Sequence, residues 1–199
     1  MPVRLNSSGG GSVTLDVPST ASTFNAVIPA NNGTLVTTGS TAAVTQGMLA
    51  SGVAGNGPAF SAYNSGTQSG LSLGVYNKVN FNVEEFDTAN CYNPSLARFT
   101  PNVAGYYQVN LAAQAGGSTN TNFVIARLYK NGSGVASGFG SGINGSGIVY
   151  GNALSSGSFL VSMNGTTDYL EVYIYADGSG TASIASGTGS FSAFLARTA

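Results

Sequence analysis

The stretch RFTPNVAGYYQVNLAAQ, residues 98–114, decides how the chain is read. It opens on Arg98-Phe99, turns through Pro101 and Gly105, and then alternates apolar and polar positions from Tyr107 onward. Alternation of that kind sends successive side chains to opposite faces of a β-strand. Tyr106 and Tyr107 must therefore part company. One is expected in a core, and the other at a surface or subunit contact, where a phenol's apolar body and polar tip are both useful. Pro101 can end the preceding strand because it needs no ladder donor, and Gly105 is expected to supply a turn position with positive φ.

The same texture continues on both sides. LYKNGSGV (128–135) enters an Asn-Gly turn, and FLVSMNGTTDYLEVYIYADGSG (159–180) enters another. Asn32-Gly33, Asn131-Gly132, Asn144-Gly145 and Asn164-Gly165 read as hairpin turns, although each also opens a glycosylation sequon. In the 159–180 run, Leu170, Val172 and Ile174 share one face, while Tyr169, Glu171, Tyr173 and Tyr175 share the other. A strand apolar or aromatic on both faces is covered on both. Helical periodicity is nearly absent; only TAAVTQGMLASGV (41–53) suggests a turn or two, and Gly47 and Gly52 weaken it. Short alternating runs divided by turn chemistry predict an all-β sandwich or barrel.

Composition narrows the class. Apolar residues make up 42% of 199 positions, enough for a core, yet only 7% are charged, against roughly 25% in an average soluble domain. Gly, Ser, Thr and Asn take up the difference, with 29 Gly. Hydroxyl and amide surfaces suit chains packed into larger assemblies, because interfacial charges are costly to desolvate. A net charge of −1 with six scattered Lys and Arg offers no basic stripe for nucleic acid. MPVRLNSSGGGS has no apolar stretch of a signal peptide, and no window suits a membrane span. The single cysteine, Cys91, cannot form an internal disulfide and reads as a small structural residue.

A shift in aromatic content divides the chain. Phe24 is the one aromatic residue before position 56, whereas Phe60, Tyr63, Tyr76 and Phe81 follow in quick succession. The boundary is placed in GVAGNGP (52–58), giving an N-terminal segment 1–55 and a head 56–199. The segment's apolar residues, among them Leu5, Val13, Leu15, Val17, Ile28 and Leu35, are too few to close a core alone. Its β-alternation predicts an extended anchor that docks on copies of itself or on a larger object.

Five motifs in order across 58–199 carry a resemblance. They are PAFSAY (58–63), KVNFNVEEFDTANCYNPSLARFTPNVAGYYQVNLAAQ (78–114), ARLYKNGS (126–133), GTTDYLEVYIY (165–175) and GSFSAFLAR (189–197). This region resembles the globular head of complement C1q and the related tumour necrosis factor jelly roll, with Ala193 where that family usually has Gly. The resemblance implies a homotrimer with the opening and closing strands near a threefold axis. Phe60, Tyr63, Phe99, Tyr106, Tyr107, Tyr173, Phe191 and Phe194 are the resulting core or axis candidates. VTLDVPSTASTFNAVIPANNGTLVTTGS, within residues 11–40, resembles short modules of bacteriophage structural proteins.

Chemistry is sparse. The chain has no His, which removes the commonest general base and metal ligand. Glu84 and Glu85 are adjacent and make a poor catalytic pair. Glu85 with Asp87 could share a face, and some members of the complement-like family bind Ca²⁺ at the trimer apex, but a hard cation wants six to eight oxygens. GSGVASGFGSGINGSGI (132–148) lacks the Lys and helix of a phosphate loop and is expected to be a long flexible loop. No catalytic site, metal or cofactor is expected.

These readings converge on an expectation. The chain is a non-enzymatic, homotrimeric bacteriophage virion surface protein, made in the bacterial cytoplasm without an export signal. Its N-terminal segment is anchored to a major capsid protein or tail component, and its jelly-roll head projects outward. A capsid decoration (cement) protein is the favoured role. A short tail fibre or adhesin, whose head binds a host-surface receptor or glycan, is the alternative.

Overall fold

The computed structural model describes residues 3–6, 8–15, 57–117, 120–137, 141–142 and 153–199. All regular structure among them is β, in antiparallel pairings throughout. Val17, Ile28, Leu35, the 41–53 stretch and the Asn32-Gly33 and Asn144-Gly145 turns lie outside the described residues, as does most of the expected boundary at 52–58. The chain forms two compact units, Met1–Ala43 and Val44–Ala199.

In the first unit β1 (Val3–Asn6) pairs with β2 (Ser12–Leu15), with Val3 opposite Leu15 and Leu5 opposite Val13. Leu5, Val13 and Leu15, three of the expected anchor residues, therefore belong to one hairpin.

The second unit holds two seven-stranded sheets. The first sheet is built around β14 (Leu170–Ser179) and β10 (Asn120–Lys130). On β10 lie β11 (Ser133–Ser137) and β12 (Ser141–Gly142); on β14 lie β5 (Tyr76–Lys78) and β8 (Arg98–Phe99), and β8 pairs with β7 (Tyr92–Asn93). The second sheet is centred on β9 (Gly105–Gly117), the strand predicted from the 98–114 stretch. β13 (Ala153–Met163) flanks it on one side and β16 (Ser190–Thr198) on the other. Beyond β16 come β3 (Ala59–Tyr63) and β6 (Val83–Asp87), while β15 (Ala182–Ile184) and β4 (Gln68–Leu71) extend the end of β9.

Alternation explains why the sheets close on each other. On β9, Tyr107, Val109, Leu111, Ala113 and Ala115 are buried, and they face Val124, Ala126 and Leu128 of β10 and Leu170, Val172 and Ile174 of β14 within one core. At the centre Phe60 stacks on Tyr92 and Phe99, with ring centroids 4.6 and 4.5 Å away, and meets Phe191 edge-on at 4.9 Å. Such pairs add about 0.5–1.5 kcal/mol each beyond area burial. Buried phenols need partners, and both have them. The Tyr92 hydroxyl donates to the Phe81 carbonyl at 2.6 Å and the Tyr107 hydroxyl to the Val103 carbonyl at 2.8 Å. Burial holds both phenols well above their ordinary pKa. One hydroxyl links the layers: fully buried Ser155 of β13 accepts the Ala126 N–H of β10 at 2.8 Å.

Two expectations need correction. Gly105 does not have a positive φ. It is required because a Cβ there would sit 2.4 Å from the Arg197 carbonyl oxygen and 2.6 Å from a Leu195 methyl, so the constraint is the close approach of β16. The Gly-rich stretch expected to be a flexible loop begins instead as strand: β11 and β12 both pair with β10, since glycines carry the same backbone donor and acceptor that a ladder needs. The hairpin joining β10 to β11 turns on Asn131 (φ 53°) and Gly132 (φ 78°), with Lys130 opposite Ser133. Two consecutive left-handed residues give the turn whose twist matches that of the strands.

Candidate assembly face

Parity on β9 creates the candidate site. If Tyr107 enters the core, then Tyr106 must leave it, and Tyr106 is indeed 43% exposed. The outward positions of the second sheet can be followed row by row across its central strands. Leu160 of β13, Gln108 of β9, Phe194 of β16 and Ala59 of β3 form one row. Ser158, Asn110, Ser192 and Ser61 form the next. The first row is apolar at its flanks: Leu160 is 63% exposed and Phe194 48%. Around Tyr106 and Leu160, together with residues 196–199, lies a shallow cleft of about 420 Å³. Leu154 and Phe86 are two further exposed apolar residues on strands of this sheet.

Polar side chains of the two rows bond to one another. Gln108 donates through Nε2 to Ser158 Oγ at 2.8 Å, and Ser158 donates onward to Asn110 Oδ1 at 2.7 Å. Ser61 donates to the Glu85 carboxylate at 2.5 Å, on β6 at the sheet's edge. The face is thus an apolar end, with Arg197 at its cleft, beside a belt of neutral hydroxyls and amides. Depletion of charge with apolar and aromatic residues at the centre is the signature of an interface core.

The sequence-predicted residues divide across this geometry. Phe60, Phe99, Tyr107 and Phe191 lie in the core, whereas Tyr106 and Phe194 lie on the outward face. Tyr63 is half-buried at the end of β3. Tyr173 is half-buried on the outer face of the other sheet, against Tyr129 with ring centroids 4.1 Å apart. Leu160 was missed, although a signal existed: it interrupts the outward series Ser156, Ser158, Ser162 with one large apolar residue.

The described acids near the face are engaged in local hydrogen bonds. Asp87 accepts the N–H groups of Ala89 and Tyr92, which ties the 87–92 turn, and Glu85 is held by Ser61. Among the described residues no group of three or more His, Cys, Asp or Glu could hold a metal ion. Cys91 is buried, and burial raises its pKa above the ordinary thiol value.

On the second face of β14, Glu171 is covered from within the chain, while Tyr173 and Tyr175 stay half-buried. Glu171, almost wholly buried, receives Lys78 Nζ at 2.6 Å and Arg98 at 2.8 Å, and Arg98 lies 3.8 Å over the Tyr169 ring. Burial pushes the Glu171 carboxyl upward, but the hydrogen bonds and charges of Lys78 and Arg98 outweigh it and hold the pKa below the ordinary glutamate value.

No protein-family model and no curated protein matches the chain. Solved structures do match its fold. The globular domain of zebrafish complement 1qA is similar with a TM-score of 0.53 and 20% identity, covering 71% of this chain and 98% of that one. The Eiger tumour necrosis factor of S. frugiperda is similar with a TM-score of 0.54 and 9% identity, covering 71% and 93%. The chain's fold is a jelly roll similar to those of the complement C1q globular domain and tumour necrosis factor.

Proposed function

We propose that the chain is a non-enzymatic, homotrimeric surface protein of a bacteriophage virion. Its head trimerises through the outer face of the second sheet, and its N-terminal segment anchors it to the capsid as a decoration protein. The observation that carries the trimer is the row Leu160–Gln108–Phe194 with Tyr106 beside it: large apolar side chains stand exposed on a sheet face whose charged groups, Arg197 and Glu85, lie beside the row and not within it. Burying a Leu side chain contributes about 1.5–3 kcal/mol, and a threefold contact would collect that gain in every copy. The capsid role rests on the phage-like motifs of residues 11–40, the low charge and the pairing of an unfinished leader with a complete head.

The test is co-sedimentation with purified capsids of the encoding phage, comparing the full chain with a variant lacking residues 1–55. The expected result is a truncated head that remains trimeric but no longer pellets with capsids. A full-length protein that ignores capsids would end the decoration reading.

A further inference from the structure

The outer face of the first sheet carries a band of rings that the trimer reading does not use. Tyr173, Tyr129, Tyr76, Tyr175 and Phe123 follow one another with centroids 4.1, 5.9, 5.4 and 6.4 Å apart. Four of the chain's six cations lie on or beside this face, and three are neutralised. Lys78 and Arg98 share Glu171, and Lys130 meets Asp168 at 2.8 Å. Arg127 is different. Among the described residues it has no carboxylate partner, and its Nε is buried with no acceptor. Its guanidinium lies 5.5 Å from the Tyr76 ring centroid and 6.0 Å from that of Tyr129. Beside it Gly134 leaves the needed space, since a Cβ there would come within 2.5 Å of Nε. The rings give the guanidinium favourable cation–π contacts, but its buried Nε–H without an acceptor costs folding free energy, and an unsatisfied group of this kind calls for an explanation.

We propose that this face is a binding site for a carboxylate-bearing sugar of a surface glycan. The two terminal nitrogens of the Arg127 guanidinium would donate a forked pair of hydrogen bonds to the carboxylate, and the Tyr76 and Tyr129 rings would pack against the pyranose. A phenol matches a sugar ring well, offering a flat apolar body and a polar tip. A single available cation fits one carboxylate, whereas a nucleic acid would need a series of cations along its phosphates. An extended peptide is recognised by adding to a sheet edge, and this band lies on a sheet face. The inference stands whether or not the head trimerises, because it concerns the other sheet.

The test titrates the full-length chain, by calorimetry and by tyrosine-ring NMR, with trigalacturonate, triglucuronate and sialyllactose. Methyl-esterified trigalacturonate, maltotriose and a triglutamate peptide serve as comparisons. Saturable binding to at least one carboxylated sugar is expected, with none to the ester or maltotriose. Arg127→Gln should weaken it about tenfold or more and Arg127→Lys by less, since lysine keeps the charge and loses the fork. Both variants should keep the parent thermal midpoint or exceed it, which separates lost binding from lost folding. Failure of all three acidic sugars to bind, or equal binding by Arg127→Gln, would overturn the proposal. Triglutamate binding as tightly as the sugars would overturn it too, in favour of a protein partner.

Discussion

Glu171→Gln is the most informative single change to the first sheet. The substitution keeps the shape of the side chain and removes its charge, leaving Lys78 and Arg98 facing a neutral amide. At 2.6 and 2.8 Å, each pair is worth about 6 kcal/mol of Coulomb energy at an effective dielectric of 20. Desolvating a carboxylate that is only 4% exposed returns several kcal/mol of that. The two cations are about one-third exposed, so water recovers part of what they lose and the figure must be discounted. The expected net cost is about 1–3 kcal/mol at pH 7, near that of one charge-assisted hydrogen bond. The pH dependence gives the sharper signature. Because the folded pKa is depressed, Glu171 contributes its stability in full above its unfolded pKa of about 4.3, and the contribution is lost as pH falls through the lower folded value. Urea unfolding followed by tyrosine fluorescence should therefore show a constant gap between parent and variant from pH 7 to about 5. Below about pH 4.3 that gap should shrink. A variant as stable as the parent at pH 7, or a gap unchanged down to pH 3, would refute the reasoning.

Three other changes test the packing. Gly105→Ala should cost about 1–3 kcal/mol in urea unfolding, because the new Cβ meets the Arg197 backbone carbonyl, which cannot turn aside as a side chain would. Ser155→Ala leaves the buried Ala126 N–H without its acceptor; a loss of about 1–3 kcal/mol is expected, with faster hydrogen exchange at that amide. Phe60→Ala removes the ring that three other aromatics contact and should cost about 3–5 kcal/mol, read as a drop in the denaturation midpoint.

The sequence was most legible where local chemistry and tertiary demand agree. Alternation in residues 98–114 located β9, and the parity of Tyr106 and Tyr107 required one inward and one outward ring before their neighbours were known. Asn131-Gly132 announced its hairpin because only residues tolerant of positive φ fit both turn positions. Gly105 was misread because its reason lies in β16, whose Arg197 carbonyl approaches it from far along the chain. Glycine composition hid β11 and β12, since a strand paired along one edge needs its backbone donors more than large side chains. Tyr92 sits among Asn90, Cys91, Asn93 and Pro94 with no alternation to mark it, yet it stacks on Phe60 because β7 and β8 turn it inward. Arg127 looked like one cation among six. Its lack of a carboxylate partner emerges only after Lys78, Arg98 and Lys130 have been matched with theirs.

The most direct test of the central claim is the solution mass of the full-length chain and of Leu160→Asp, measured by sedimentation equilibrium across a range of concentrations. Leu160 makes no part of the core and is 63% exposed in the isolated chain, so the substitution should leave the fold and its thermal midpoint in place. The account predicts a parent mass near three times the 19.9 kDa of one chain, and a Leu160→Asp mass near that of one chain. A monomeric parent, or a trimer that Leu160→Asp does not weaken, would contradict it.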